Sequence, residues 1–122
     1  MAMTYDAVRA FALSLPGVEE GTSYGYPSLK AHGKFLTRLK EDGDTLVCPG
    51  VTFDEREMLI AAEPQTFYLT DHYRNYPYVL IRLSSVHPGT VKQLIERHWR
   101  ATAPRKVLKA WDGLSAVATE TQ

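Results

Sequence analysis

Two strand-like runs joined by one turn lie between Gly33 and Pro49, and they restrict this chain to folds that contain an antiparallel sheet. Lys34–Lys40 and Thr45–Pro49 are the runs, and Glu41-Asp42-Gly43-Asp44 joins them through an Asp-Gly pair. That dipeptide between two strands is a strong hairpin signal, because its backbone readily takes the positive φ of a tight turn. Gly33 marks a turn before the first run, and Ser28–Ala31 reads as a strand leading into it. The three form a meander.

Helices bracket this meander. Thr4 is placed to cap a first helix, with Met3 and Val8 as a hydrophobic staple and Asp6 in the first turn. Val8, Phe11, Ala12 and Leu15 recur at helical spacing until Pro16-Gly17 stops them. Val18 to Pro27, punctuated by Gly21, Gly25 and Pro27, reads as a loop. Thr52-Phe53-Asp54-Glu55 is a capping box that predicts a helix over Phe53–Ala62. Phe67–Thr70 and Tyr78–Ser84 read as two further strands. Pro88 suits the first position of a third helix, whose apolar stripe is Val91, Leu94, Ile95, His98 and Trp99. After Pro104, Arg105–Trp111 reads as a short helix with Val107, Leu108 and Trp111 inward. The expectation is an α+β fold: a mostly antiparallel five-stranded sheet with N-terminal, middle and C-terminal helices packed on one face. It assigns residues 1–111 to a single domain and residues 112–122 to a polar C-terminal tail.

The 122 residues suit one domain with a real core. No apolar run approaches the ~20 residues that span a bilayer, and Met1-Ala2-Met3-Thr4 has no secretory pattern. Cys48, the single cysteine, excludes an internal disulfide and a CxxC zinc site, so the expected setting is cytosolic. The zero net charge averages two opposed segments. From Glu41 to Asp71 eight acids oppose Arg56 alone, a net −7; from His72 to Trp111 eight bases oppose Glu96 alone, a net +7. Such asymmetry either creates an anion-attracting face or folds back into surface ion pairs.

Asp71-His72-Tyr73-Arg74-Asn75-Tyr76-Pro77-Tyr78 opens the basic segment with aromatic rings beside a guanidinium, a combination suited to stacking and anion recognition. Strand alternation extends this surface. It places Phe35, Thr37 and Leu39 with Val79, Ile81 and Leu83 over the core. The opposite, half-wet face then carries Lys34, Leu36, Arg38 and Lys40 with Tyr78, Leu80 and Arg82.

Four stretches in order make a pattern: Leu15-Pro16-Gly17-Val18-Glu19-Glu20, Gly33-Lys34-Phe35-Leu36, His72-Tyr73-Arg74 with Tyr76-Pro77 before an apolar strand, and Trp99-Arg100 with Ala103-Pro104-Arg105-Lys106. Together they resemble the MmcQ/YjbR-like family of small, largely uncharacterised bacterial proteins, over about Tyr5 to Trp111. The resemblance implies a CyaY-like fold, described for this family as a double-wing DNA-binding arrangement. Many members of that family carry a tryptophan near the start of the late strand; this sequence departs from that pattern, with Tyr78 in that neighbourhood.

The residues point to a binding module rather than an enzyme. No GxSxG, P-loop or GxGxxG is present, and His32, His72, His87 and His98 form no i, i+4 pair. Glu19-Glu20 could do acid–base work only within a cleft. One reading is DNA or RNA binding, with Lys34, Arg38, Arg74 and Arg82 on phosphates and Tyr73 and Tyr76 interleaved with bases. Against it, the pI near 6.9 is far from the >9 of a dedicated basic domain. Cations on strand faces also protect sheet edges, and Tyr73 and Tyr76 could simply pin the loop. A second reading is a protein- or small-molecule-binding domain whose pocket is rimmed by the 71–78 loop. A third, suggested by the CyaY-like resemblance, is a metal-binding ridge at Asp54, Glu55 and Glu57, where helix capping is the simpler account. Arg97, Arg100, Arg105 and Lys106 read either as a second phosphate contact or as cations at a helix C-terminus. His98 reads as a satisfied core residue and Cys48 as a buried, inert thiol. The sequence implies no cofactor and no membrane partner and leaves the oligomeric state open.

Overall fold

A computed structural model describes residues 3–120, with side chains through Gly113. Met1, Ala2, Thr121 and Gln122, which the sequence places at the start of the domain and the end of the tail, lie outside the described residues. Helix α1 (Tyr5–Leu13) leads into strands β1 (Val18–Ser23), β2 (Tyr26–Ala31), β3 (Lys34–Leu39) and β4 (Thr45–Pro49). Helix α2 (Phe53–Ala62) follows, then β5 (Phe67–Tyr68), a 3-10 turn at Asp71–Tyr73, β6 (Tyr78–Arg82), and helices α3 (Pro88–Thr102) and α4 (Arg105–Glu120). The fold is α+β, with one antiparallel six-stranded sheet in the order β1-β2-β3-β4-β6-β5.

Three helix starts, those of α1, α2 and α3, have a local chemical cause. Thr4 Oγ1 accepts from the Ala7 amide at 3.1 Å, Thr52 Oγ1 from the Glu55 amide at 3.2 Å, and His87 Nδ1 from the Gly89 amide at 3.0 Å. All four helices contribute to the main core against one face of the sheet, where Leu29, Leu46, Cys48, Val79 and Ile81 are buried. Trp99 of α3 is fully buried; its indole N–H donates to Pro16 O at 2.8 Å, and Trp111 of α4 packs edge-on against it.

Three expectations change. Val18–Pro27 is not a loop. Val18–Ser23 forms β1, paired along its length with β2, so the sheet gains a sixth strand. Its sequence, VEEGTS, has little β propensity; partner pairing creates the strand. The helix after Pro104 does not stop at Trp111 but runs on to Glu120, because the isolated Gly113 and the small residues after it do not force a break. Residues 112–120 are therefore helical rather than a separate tail.

The third change concerns β3. Its register against β2 shifts between Leu29 and Lys30: Leu29 pairs with Thr37 and Lys30 with Phe35, which leaves Leu36 without a partner. This bulge reverses the alternation partway along the strand. Leu36 joins the main core, while Phe35 joins a second cluster with Val47, Tyr73 and Leu80 on the opposite face. That face is consequently not half-wet at its centre. The 71–78 segment folds back over it.

An aromatic groove floored by a buried arginine

Arg38 lies at the centre of this covered face. It sits opposite Ser28 on β2 and Val47 on β4, and is only 9% exposed. Its terminal Nη2 donates to the Tyr73 hydroxyl at 2.8 Å, and Nη1 reaches Leu39 O at 3.5 Å. Among the described residues the ion pairs are Arg9–Glu20, Arg74–Asp71, Arg97–Glu55 and Arg100–Asp112; Arg38 belongs to none. A guanidinium is thus withdrawn from water with neutral oxygen partners, an arrangement that normally costs stability.

The walls are aromatic. The 71–78 segment contributes His72, Tyr73, Tyr76 and Tyr78, and the bulged strand contributes Phe35. Tyr78 is central to the stack, with ring centroids 6.2 Å from Phe35, 5.8 Å from Tyr73 and 5.7 Å from Tyr76. Burial, then the neighbouring Tyr73 and Tyr76, raise its phenol above the usual value. The segment owes its path to Arg56 on α2, which is 7% exposed. One guanidinium donates to the carbonyls of Tyr73, Arg74, Tyr76 and Tyr78 at 3.3, 3.0, 2.8 and 3.2 Å, while it lies over the Phe53 ring. The lone cation of the acidic segment is therefore the clamp of the aromatic loop.

The β1–β2 hairpin supplies the remaining wall. Tyr24 and Gly25 both have positive φ, 53° and 81°, in a tight turn. A bulky residue in that region is uncommon and strained. The other instance, His32, has its ring packed against Gly17 and near Trp99. Tyr24 instead stands 87% exposed, with the Arg38 guanidinium 5.5 Å from its ring centroid. Ser23, Tyr24, Phe35, Arg38, Val47 and the four loop residues enclose an open groove of about 350 Å³. Among the described residues its lining holds no carboxylate, thiol or lysine.

The six residues singled out in the sequence divide evenly. Arg38, Tyr73 and Tyr76 line the groove. Lys34 is exposed at the β2–β3 turn. Arg74 is paired with Asp71 at 2.5 Å, and Arg82 lies 4.1 Å over the Tyr68 ring and donates to Gln65 O. Tyr73 does not offer a free ring; it is 6% exposed with its hydroxyl held by Arg38. The sequence does not single out Tyr24, Phe35 or Arg56 as site residues. Tyr24-Gly25 is an X-Gly turn dipeptide that could have marked a hairpin, and the bulge concealed Phe35.

Of the other charged candidates, Arg97, Arg100 and Glu55 are engaged elsewhere. Arg97 forks onto Glu55 at 2.6 and 2.8 Å and also meets Gly50 O, so the Glu55 carboxyl is held below its usual range by that guanidinium. Arg100 forks onto Asp112 at 3.0 Å. Among the described residues no group of three or more His, Cys, Asp or Glu could hold a metal ion. His98 Nε2 donates to Phe35 O at 3.2 Å, and burial lowers its pKa. Cys48 is fully buried, and burial pushes its thiol up to about 12. No helix of the described residues is long and apolar enough to cross a membrane.

The YjbR family model matches residues 13–101, a span that includes all six strands and most of α3. An uncharacterized protein of Mycobacterium tuberculosis and one of Mycobacterium bovis are each 30% identical over 88 residues, which cover 70% of this chain and 68% of the relative. No solved structure matches the chain.

Proposed function

The chain belongs to the YjbR family, and from that premise we propose that it is a non-enzymatic, small-ligand-binding module whose site is the groove floored by Arg38. One observation carries this reading: a guanidinium nine-tenths buried, without an acidic partner among the described residues, at the base of a recess walled by aromatic rings. Ligand sites are typically concave and largely apolar, with a few placed polar groups that fix orientation. Among the described residues the lining holds no carboxylate or thiol, and no hydrogen bond orients its one histidine, exposed His72, as a general base, which favours binding over acid–base or nucleophilic chemistry. A cytosolic setting belongs to the same proposal, supported by a lone, buried, reduced cysteine.

Single-stranded nucleic acid is the second reading, favoured by the open rings of Tyr24 and Tyr76, on which an unstacked base could lie. It is weaker because Arg74, Arg97 and Arg100 are tied to carboxylates and do not extend the groove into a basic track. A thermal-shift screen of small fragments beside oligothymidylate and heparin, repeated across a salt series, separates the two. The small-ligand reading expects stabilising fragments whose effect survives 0.3 M salt. It fails if fragments do nothing and an oligonucleotide binds with a steep salt slope, about −0.7 per phosphate contact.

A further inference from the structure

We propose that the groove takes a planar aromatic acid: a single aromatic ring bearing one carboxylate, with the carboxylate on Arg38 and the ring between Tyr24 and the Tyr76–Tyr78 wall. This rests on the groove being the ligand site and adds the chemical class of its occupant. The charge follows from Arg38. A guanidinium carries five N–H donors in a planar fork, and among the described residues only the Tyr73 hydroxyl and a distant Leu39 carbonyl accept from it. A carboxylate matches the vacant fork edge with two parallel hydrogen bonds, and the low exposure of the site strengthens them. An aromatic cage can also hold an organic cation, but the Arg38 charge repels one.

A monoanion fits better than a phosphate. Among the described residues Arg38 is the one Arg or Lys in the lining, and the helical segment there, the 3-10 turn at Asp71–Tyr73, is too short to offer a fan of free backbone N–H groups, since the Tyr73 and Arg74 amides already donate to Thr70 O and Asp71 O. The ring requirement follows from the walls. Tyr24 stands above the Arg38 guanidinium, and the Tyr76, Tyr78 and Phe35 rings form the other side. Flat faces on two sides favour a flat occupant, which can stack or meet them edge-on. Tyr24 is exposed and held in a strained backbone conformation, so its ring is placed over the groove without packing the core. A volume of about 350 Å³ admits one ring and its acid group, near the lower end of ligand pockets.

Four probes test the class: benzoate, its neutral isostere benzamide, the non-aromatic cyclohexanecarboxylate, and acetate. Each is titrated into the full chain while amide chemical shifts are followed. Benzoate is expected to bind about tenfold or more tighter than benzamide, the effect of a charge-assisted hydrogen-bond pair. It should also bind tighter than cyclohexanecarboxylate and acetate, with shifts centred on Tyr24, Tyr73 and Tyr76. Arg38→Gln should abolish the benzoate–benzamide difference. Tyr24→Ala, at an exposed site and therefore safe for folding, should weaken benzoate several-fold. Equal binding of benzamide in the groove overturns the acid class and leaves the small-ligand site standing. Equal binding of cyclohexanecarboxylate overturns the aromatic requirement in the same way. If none of the four moves the groove residues the proposal falls, and a fragment screen equally silent there removes the wider reading with it.

Discussion

Replacing Arg56 with methionine removes the clamp on the aromatic loop while keeping an unbranched side chain against Phe53. The cost can be worked from the contacts. Arg56 gives one guanidinium to four carbonyls, two at 2.8 and 3.0 Å and two at 3.2 and 3.3 Å. Hydrogen bonds to a charged group contribute about 1.5–3 kcal/mol each. Counting only the two shorter ones, to Tyr76 and Arg74, at the low end gives about 3 kcal/mol, and water can replace part of them because both residues are exposed. Relief of the buried charge's desolvation offsets some of this, which leaves an expected loss of about 2–3 kcal/mol. For a domain of this length that corresponds to a fall in Tm of roughly 10 °C. Urea unfolding followed by tryptophan fluorescence measures it, with the m-value expected to hold constant. Amide exchange at Tyr73, Arg74, Tyr76 and Tyr78 should accelerate more than in the sheet centre. A loss under about 0.5 kcal/mol with unchanged exchange in the loop would refute the clamp.

Other consequences are equally concrete. Gly50→Ala should destabilise by more than about 2 kcal/mol, because φ is +78° and a Cβ would lie 2.5 Å from His98 Nδ1. Gly43→Ala, at φ +71° with open space around it, should cost only the conformational term of about 1 kcal/mol; equal losses in chemical denaturation would contradict the packing argument. Glu55→Gln should remove an acid-sensitive increment. The folded carboxyl lies below the ordinary 4.5, so its contribution is complete above that value and disappears as pH falls from there through the lowered folded pKa. The pair is partly exposed, so this is about half a kcal/mol, and less in salt; parallel pH–stability curves for the two proteins would deny it. Cys48 should resist iodoacetamide at pH 8 in the native protein and react once urea unfolds it, as read by mass; rapid native labelling would contradict its burial.

What the sequence disclosed was local. The Asp42-Gly43 turn, the Thr52–Glu55 box and the Pro88 start are chemistry within a few residues, and each lies where the pattern places it. What it concealed depended on partners distant in sequence. Val18–Ser23 is a strand because β2 lies beside it, and Phe35 changes face because β2 and β3 pair out of register. The opposed charge segments did not predict a basic face, since Arg97 and Arg100 reach carboxylates 42 and 12 residues away. Three of the six candidate residues converge on the groove, and of the two roles side-chain type left open for Tyr73 the ring takes the loop-pinning one, packed inward with its hydroxyl on Arg38. Arg56 looked like a minor break in an acidic run, and only the path of the loop gives it a role.

The central claim is that the Arg38 groove is where this protein meets its ligand. Chemical-shift mapping of a diverse fragment library on the isotope-labelled chain tests it most directly, because it assumes no ligand and surveys the whole surface. The account predicts that the hits cluster their shifts on Tyr24, Phe35, Tyr73, Tyr76 and Tyr78 and that acids predominate among them. Hits gathered instead along the α1–α3 surface around Phe11 and Lys92, another concave region, with the groove unmoved, would contradict it.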